Sequence, residues 1–240
     1  GTVRREREGI TETPALKTNS IAIDGPSGAG KSTLAKSIAK TLGYLYVDTG
    51  AIYRTIGYAA FVRGADPKDA EAVAALLPEL EIGLTYGVDG LQHMTLNGED
   101  VTDKIRLPEI SLYASAVSAH PAVRAHLLEM QRQLALEHNV VMDGRDIGTV
   151  VLPDATVKIF LTASVEERAL RRCRELEQRG TPVAYEPVLA EMCQRDDDDS
   201  HRTAAPLKQA ADAVLLDTTH LNFAGSEQAL LRIIRERTGR

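Results

Sequence analysis

Two rhythms of apolar and polar positions run along the chain. Ser20–Asp24, Tyr44–Val47, Asn139–Met142, Thr156–Leu161 and Ala213–Leu216 are short, largely aliphatic runs, the pattern of strands buried on both faces. Between them come segments with helical composition and spacing: Thr33–Leu42, a segment opening at Thr49, Pro121–His138, Ser164–Arg179, Pro187–Arg202 and Ser226–Arg237. Their ends carry start and stop signals. Gly43 and Gly180 follow two of the helices, Pro121 opens a third, and Ser164 with Glu167 spells a capping box. Val123, Leu127, Leu128, Leu134 and Leu136 are expected on the buried face of the Pro121 helix. Strands alternating with helices predict an α/β fold, a five-stranded parallel sheet flanked by helices.

One region breaks the alternation. After a loop at Gly64–Lys68 and a short helix at Asp69–Leu77, the runs Leu80–Tyr86 and Leu91–Leu96 flank a Gly87–Gly90 turn, and Asn97-Gly98 opens a second turn. A hairpin has no place in a βαβ series, so residues 79–118 are expected to form a small insertion lobe that holds a second substrate. The core is then 19–78 together with 119–240. Residues 1–18 lack the apolar segment of a secretory signal and read as a mobile tail. His93 is expected at the hairpin surface.

Composition narrows the class. With 240 residues, 43% hydrophobic but only 4% aromatic and no Trp, the core must be aliphatic and Ala-rich. A net charge of −6 argues against a general polyanion binder, so no nucleic-acid partner is expected. No apolar run approaches the roughly eighteen residues of a membrane span. The two cysteines, Cys173 and Cys193, lack metal-ligand spacing and read as reduced thiols of a cytoplasmic protein. No long apolar surface stripe calls for a partner chain, and a monomer is expected.

The chemistry gathers after the predicted strands, where open α/β sheets bind ligands. Gly25-Pro26-Ser27-Gly28-Ala29-Gly30-Lys31-Ser32 reads G-x-x-x-x-G-K-S between a strand and a helix, the context that a phosphate-binding loop requires. Its glycines let backbone N–H groups turn onto a triphosphate, Lys31 reaches the β- and γ-phosphates, and the Ser32 hydroxyl is placed for Mg²⁺. After the second strand, Thr49 is either a helix cap or an anion contact, and Arg54 either solvated or reaching a phosphate. After the third, Asp143 is placed to order a Mg²⁺-bound water. Arg145 and Asp146 follow in a Gly-containing loop, where they face a substrate or pair with each other. On the later helices, Arg168, Arg171 and Arg172 share one face, with Arg174 nearby. That face is solvated or belongs to a mobile lid at about 168–186. Arg195, Asp199 and Arg202 form a second stripe, and the acidic run Asp196–Asp199 needs flanking arginines or a ligand to hold it.

Four stretches taken together, IDGPSGAGKST, DTGAIYR, DGRDIGTVVLPDA followed by KIFL, and QRDDDDSHRTAAPL, resemble the bacterial cytidylate kinases. The resemblance runs from Ile21 to about Asp217. It implies a P-loop nucleoside monophosphate kinase fold with an enlarged monophosphate-binding insertion, and transfer of the γ-phosphoryl group of ATP to CMP or dCMP with Mg²⁺. By matching positions, Gly25, Pro26, Ser27, Gly28, Ala29, Gly30, Lys31, Ser32, Thr33 and Arg171 would hold ATP. Thr49, Arg54, Arg145 and Arg202 would hold the acceptor phosphate, Arg195 would be a further arginine of the CMP site, and Asp199 would contact the ribose. Ser115, Arg124 and Asp146 would read cytosine. Lys31, Arg145, Arg195 and Arg202 would carry the catalytic charge. One position departs from the pattern: Asp198 stands where some relatives carry a basic residue. A kinase for a neutral hydroxyl, or a nucleotide-sensing module, would share the first motif without needing Asp146.

Overall fold

The computed structural model describes residues 17–239. In chain order the elements are strand β1 (Ser20–Asp24), helix α1 (Lys31–Leu42), β2 (Leu45–Asp48), α2 (Thr49–Val62) and α3 (Ala70–Leu76). Then come β3 (Ile82–Tyr86), β4 (Gln92–Leu96), β5 (Glu99–Asp100), α4 (Pro108–Ser118) and α5 (Pro121–Glu137). The chain ends with β6 (Val140–Gly144), β7 (Val157–Thr162), α6 (Val165–Gln178), α7 (Tyr185–His201), β8 (Val214–Asp217) and α8 (Phe223–Thr238).

Five strands form one parallel sheet in the order β2-β6-β1-β7-β8, as the alternation predicts. β1 lies at its centre with Ile21, Ala22 and Ile23 fully buried, which is why its sequence is apolar on both faces. Register brings three carboxylates to one edge: Asp24 pairs with Gly144, and Asp48 with Asp143. On one face, Ile21, Ile23, Val141 and Ile159 pack under α1 and α8 through Leu34, Ile38, Leu230 and Ile234. On the other, Ala22, Val47 and Met142 pack with Ile52 and Ile56 of α2 and Leu127 of α5.

That second core also contains Leu80, Met94, Val101, Ile105, Ile110 and Val117. The 79–118 segment does carry an antiparallel three-stranded sheet, β3-β4-β5, turning at Asn97 (φ 50°) and Gly98 (φ 83°). Its apolar side is nonetheless continuous with the core of the parallel sheet. α2 and α4 come so close that a Cβ on Gly57 would lie 2.8 Å from the Ala114 nitrogen. His93 is about a third exposed and sits between Asp89 and Asp100, at 3.9 and 3.3 Å.

Several local expectations are corrected. The cap of α2 is the Asp48 carboxylate, which accepts from Ala51 N at 3.2 Å, whereas the Thr49 hydroxyl donates to the Asp143 carbonyl at 2.7 Å. Ser164 caps α6 by accepting from Glu167 N, but the reciprocal half of the capping box is missing. The Ser164 N–H is taken by Thr219 Oγ1, and the Glu167 carboxylate by Arg171. Leu136 is 71% exposed, while Gln131, with its Nε2 bonded to the Leu127 carbonyl, fills the buried face instead. The expected tail falls outside the described residues except for Lys17 and Thr18. The Thr18 hydroxyl donates to the Ala135 carbonyl at 2.6 Å and so belongs to the fold.

Candidate active site

The loop between β1 and α1 turns tightly for steric reasons. A side chain on Gly25 would strike the Leu161 carbonyl of β7 at 2.0 Å, and Gly28 holds φ 74° against the Met192 methyl. Gly30 has φ 79° with open space around its missing side chain, so conformation and not crowding selects glycine there. Lys31 opens α1 and is buried, its ammonium donating to the Pro26 carbonyl at 3.0 Å. Burial, then the nearby Arg145 guanidinium, pull its pKa down. Such a cation gains from the arrival of an anion.

Beside it, Asp143 is buried at the end of β6. Ser32 Oγ donates to it at 3.1 Å and the Tyr46 hydroxyl at 3.2 Å. Burial, then Asp48, push its pKa up. A carboxylate, a hydroxyl and a second carboxylate nearby are hard oxygen donors that suit Mg²⁺. Among the described residues no group of three or more His, Cys, Asp or Glu is arranged to hold a metal.

Next to the loop lies a cavity of about 210 Å³, and all nine acceptor-site residues expected from the sequence line it. Arg54, Arg145 and Arg202 are among them, and two buried guanidinium nitrogens, Arg54 Nε and Arg202 Nη2, have no partner. Burial lowers the pKa of both groups ahead of any other cause. Unpaired buried donors are costly, and two of them on arginines that line one cavity suit a site for an anion. Arg124 donates to Asp146 at 2.7 Å and to the Ser118 carbonyl at 2.6 Å, and lies 5.0 Å from the centre of the Tyr53 ring. A planar cationic donor beside a carboxylate acceptor can read the edge of a nucleobase.

A family model described as cytidylate kinase matches residues 21–236. The chain belongs to the cytidylate kinase family. It is 48% identical to the cytidylate kinase of Caldicellulosiruptor bescii, over 91% of this chain and 96% of that one. It is 49% identical to the cytidylate kinases of an Exiguobacterium species and of Geobacter sulfurreducens, over 92% and 90% of this chain and 98% and 93% of theirs.

The geometry revises how the residues of this kinase partner one another. Arg145 and Asp146 do not pair with each other. Arg145 reaches Asp199 of α7 at 2.5 Å, and Asp146 reaches Arg124 of α5, because the backbone sends adjacent side chains apart. Arg168 is not on a solvated face: it is buried and donates to the Ala163 and Ser27 carbonyls and, through two nitrogens, to Asp196. Arg171 is engaged by the Thr218 carbonyl and hydroxyl at 2.6 and 3.1 Å, bonds it would have to give up to reach a nucleotide. Arg172 is exposed beside Glu175. The acidic run is held residue by residue: Asp196 by Arg168, Asp197 by His201, Asp198 by Gln194, and Asp199 by Arg145 and Arg202. Arg195 lines the cavity instead.

Four contributors escape the sequence reading. Tyr46 holds Asp143, and its backbone carbonyl receives the Tyr86 hydroxyl at 2.6 Å. Gln92 brackets Asp48, accepting from its N–H and donating to its carbonyl. Asp48 in turn pairs with Arg54 at 3.3 Å. Tyr53 supports Arg124. Of these only Asp48, an Asp directly ahead of a helix, carries a signal that could have revealed it, as an N-cap.

Proposed function

We propose that the enzyme transfers the γ-phosphoryl group of ATP to CMP or dCMP, with the acceptor in the 210 Å³ cavity and the donor on the Gly25–Ser32 loop. The observation that carries this reading is a single cavity lined both by arginines with orphaned buried donors and by the Arg124–Asp146 pair. Arg54, Arg145, Arg202 and Thr49 bind the acceptor phosphate, Arg195 and Asp199 meet the ribose, and Ser115, Arg124 and Asp146 face the base. Asp146 accepts from the exocyclic amine of cytosine, whereas uracil would present a carbonyl, acceptor against acceptor. From the 79–118 segment, Ser111, Ala114, Ser115 and Ser118 of α4 reach the cavity, so its contribution is to the acceptor side.

The acceptor phosphate needs no general base, because its second pKa of about 6 leaves a nucleophilic oxygen anionic near neutrality. That oxygen attacks the γ-phosphorus, the bond to the β–γ bridging oxygen breaks, and ADP leaves with the electron pair. The work of the protein is alignment and charge neutralisation by Lys31, Arg145, Arg195 and Arg202. Mg²⁺, with Ser32 as ligand and Asp143 ordering its water, would supply further neutralisation of the phosphate oxygens. The α6–α7 pair has its own small apolar cluster, Ala169, Val188 and Met192, separate from the two larger cores, which supports its acting as a lid that excludes water. Free thiols at Cys173 and Cys193 suit the cytoplasm, and among the described residues no helix is long and apolar enough to cross a membrane.

ADP release from Mg-ATP with CMP, dCMP, UMP and AMP in parallel tests the reading, for the intact chain and for Asp146→Asn. Cytosine-selective turnover that relaxes toward UMP in the variant is expected. An unchanged CMP-to-UMP ratio in Asp146→Asn would overturn the assignment of Asp146.

A further inference from the structure

Directly after Asp146 the chain makes one wide helical turn, Ile147–Val151, in which Val150 N and Val151 N both return to the Asp146 carbonyl. Asp146 therefore stands at an N-cap position, where an aspartate ordinarily folds its carboxylate back onto the first free N–H groups of the helix. It makes no such bond here. Two of the turn's N–H groups, including the Gly148 N–H that a capping side chain would use, are already taken. Asp24 at the end of β1, buried and 123 residues upstream of Ile147, accepts from Ile147 N at 2.8 Å and from Gly148 N at 2.7 Å, one through each carboxylate oxygen. The fit is close on the receiving side as well: a Cβ on Gly148 would come within 3.3 Å of Asp24 Oδ2 and 3.1 Å of Lys158 Cδ.

We propose that Asp24 is a specificity-positioning residue: by capping the turn after Asp146 from a neighbouring strand, it leaves the Asp146 carboxylate free to face Arg124 and the base. The inference rests on the proposed role of Asp146 in reading cytosine. Asp24 is not among the residues lining the cavity and acts through Asp146. Without it, two buried N–H groups lose their acceptors, and the nearest replacement is the side chain of Asp146 itself. Rotation toward them would remove it from the cavity. A purely structural buried carboxylate would lower stability but would not alter the choice between two acceptors that differ only at the base.

The test is a double-mutant cycle on the ratio of kcat/KM for CMP to that for UMP, using the full chain. Asn in place of Asp24 keeps one acceptor oxygen and turns a donor amide on the second N–H. In Asp24→Asn the ratio is expected to fall about tenfold or more, the size of one lost charge-assisted hydrogen bond, while the KM for ATP stays within about twofold. In an Asp146→Asn background, adding Asp24→Asn should move the ratio less than about twofold, because the group it positions is already gone. Gly148→Ala presses on the same contact without removing a buried carboxylate; it should lower the ratio in the same direction, and serves if Asp24→Asn does not fold. A ratio kept in both single variants, or lowered equally in the two backgrounds, overturns the proposal. A ratio unmoved by Asp146→Asn overturns the base-reading role and this proposal with it. A ratio lost in Asp146→Asn but kept in Asp24→Asn and Gly148→Ala overturns this proposal alone.

Discussion

Replacing Arg168 by Met separates two roles that the same arginine could have. As a lid arginine approaching the transferring phosphoryl group it would be worth about 10³-fold or more in kcat, and its loss would leave the resting fold untouched. The structure assigns it a different task. Its guanidinium joins the Ser27 carbonyl of the phosphate loop, the Ala163 carbonyl after β7 and the Asp196 carboxylate of α7. Met preserves most of the apolar stem but removes all four bonds. Breaking a buried ion pair by deleting one partner costs about 3–5 kcal/mol. Asp196 is 27% exposed and can recover some hydration, which brings the figure down to about 2–4 kcal/mol. For a chain of this length each kcal/mol is worth about 2–4 °C, so the midpoint should fall by roughly 5–15 °C. Thermal unfolding followed by circular dichroism, alongside steady-state ADP release with CMP, measures both quantities on one preparation. The expected pattern is a lowered midpoint, a weaker KM for ATP because Ser27 has lost its tether, and kcat within about tenfold of the parent. A midpoint within about 1 °C of the parent together with a 10³-fold loss in kcat would refute the structural role.

Two other predictions come from buried charge. Lys31→Ala should reduce CMP-dependent ADP release by at least about 10²–10³-fold, since it deletes a preorganised donor at the phosphates; near-normal turnover would remove the phosphate-loop assignment. Asp24, pushed up to about 6 chiefly by burial against an ordinary value of 3.8, makes stability depend on pH in the direction opposite to that of a salt-bridged carboxylate. The folded state holds its proton more tightly than the unfolded chain, so the cost of burying the ionised form is fully present above pH 6. That cost is relieved as pH falls toward 3.8. Between pH 7 and pH 5 the relief is about 1 kcal/mol, or roughly 2–4 °C. The midpoint of the intact protein minus that of Asp24→Asn should therefore rise as pH falls through this window, and a flat or falling difference would contradict it.

The strands, the sheet and the phosphate loop were legible because they depend on local pattern. Apolar runs set β1, β6 and β7, and a loop whose glycines need open or left-handed geometry reads the same in any context. Most of the cavity residues were legible one by one from the four motifs, and Ser115 and Arg124 only through the family resemblance, yet their pairings were not. Adjacent residues such as Arg145 and Asp146 look like an ion pair on paper because they lie side by side in the chain. In the folded chain each finds its partner on a different helix, Asp199 of α7 and Arg124 of α5. The same limit affects Arg168, since helical spacing places it on a face but cannot say that Asp196 and Ser27 cover that face.

Capping shows the reason most clearly. Sequence rules treat a cap as local, a side chain folding back on the next turn. Asp48 obeys them, one position ahead of Thr49, whose hydroxyl donates to the Asp143 carbonyl instead of capping. At Asp146 the rule fails outright. The Ile147 and Gly148 N–H groups are satisfied by Asp24, a residue whose nearness exists because β1 and β6 are paired in register, Asp24 beside Gly144. A side chain is thus released for ligand contact when a neighbour brought by tertiary structure takes over its local duty. Where a capping residue leaves its own cap unmade, that neighbour is the place to look for what sets specificity.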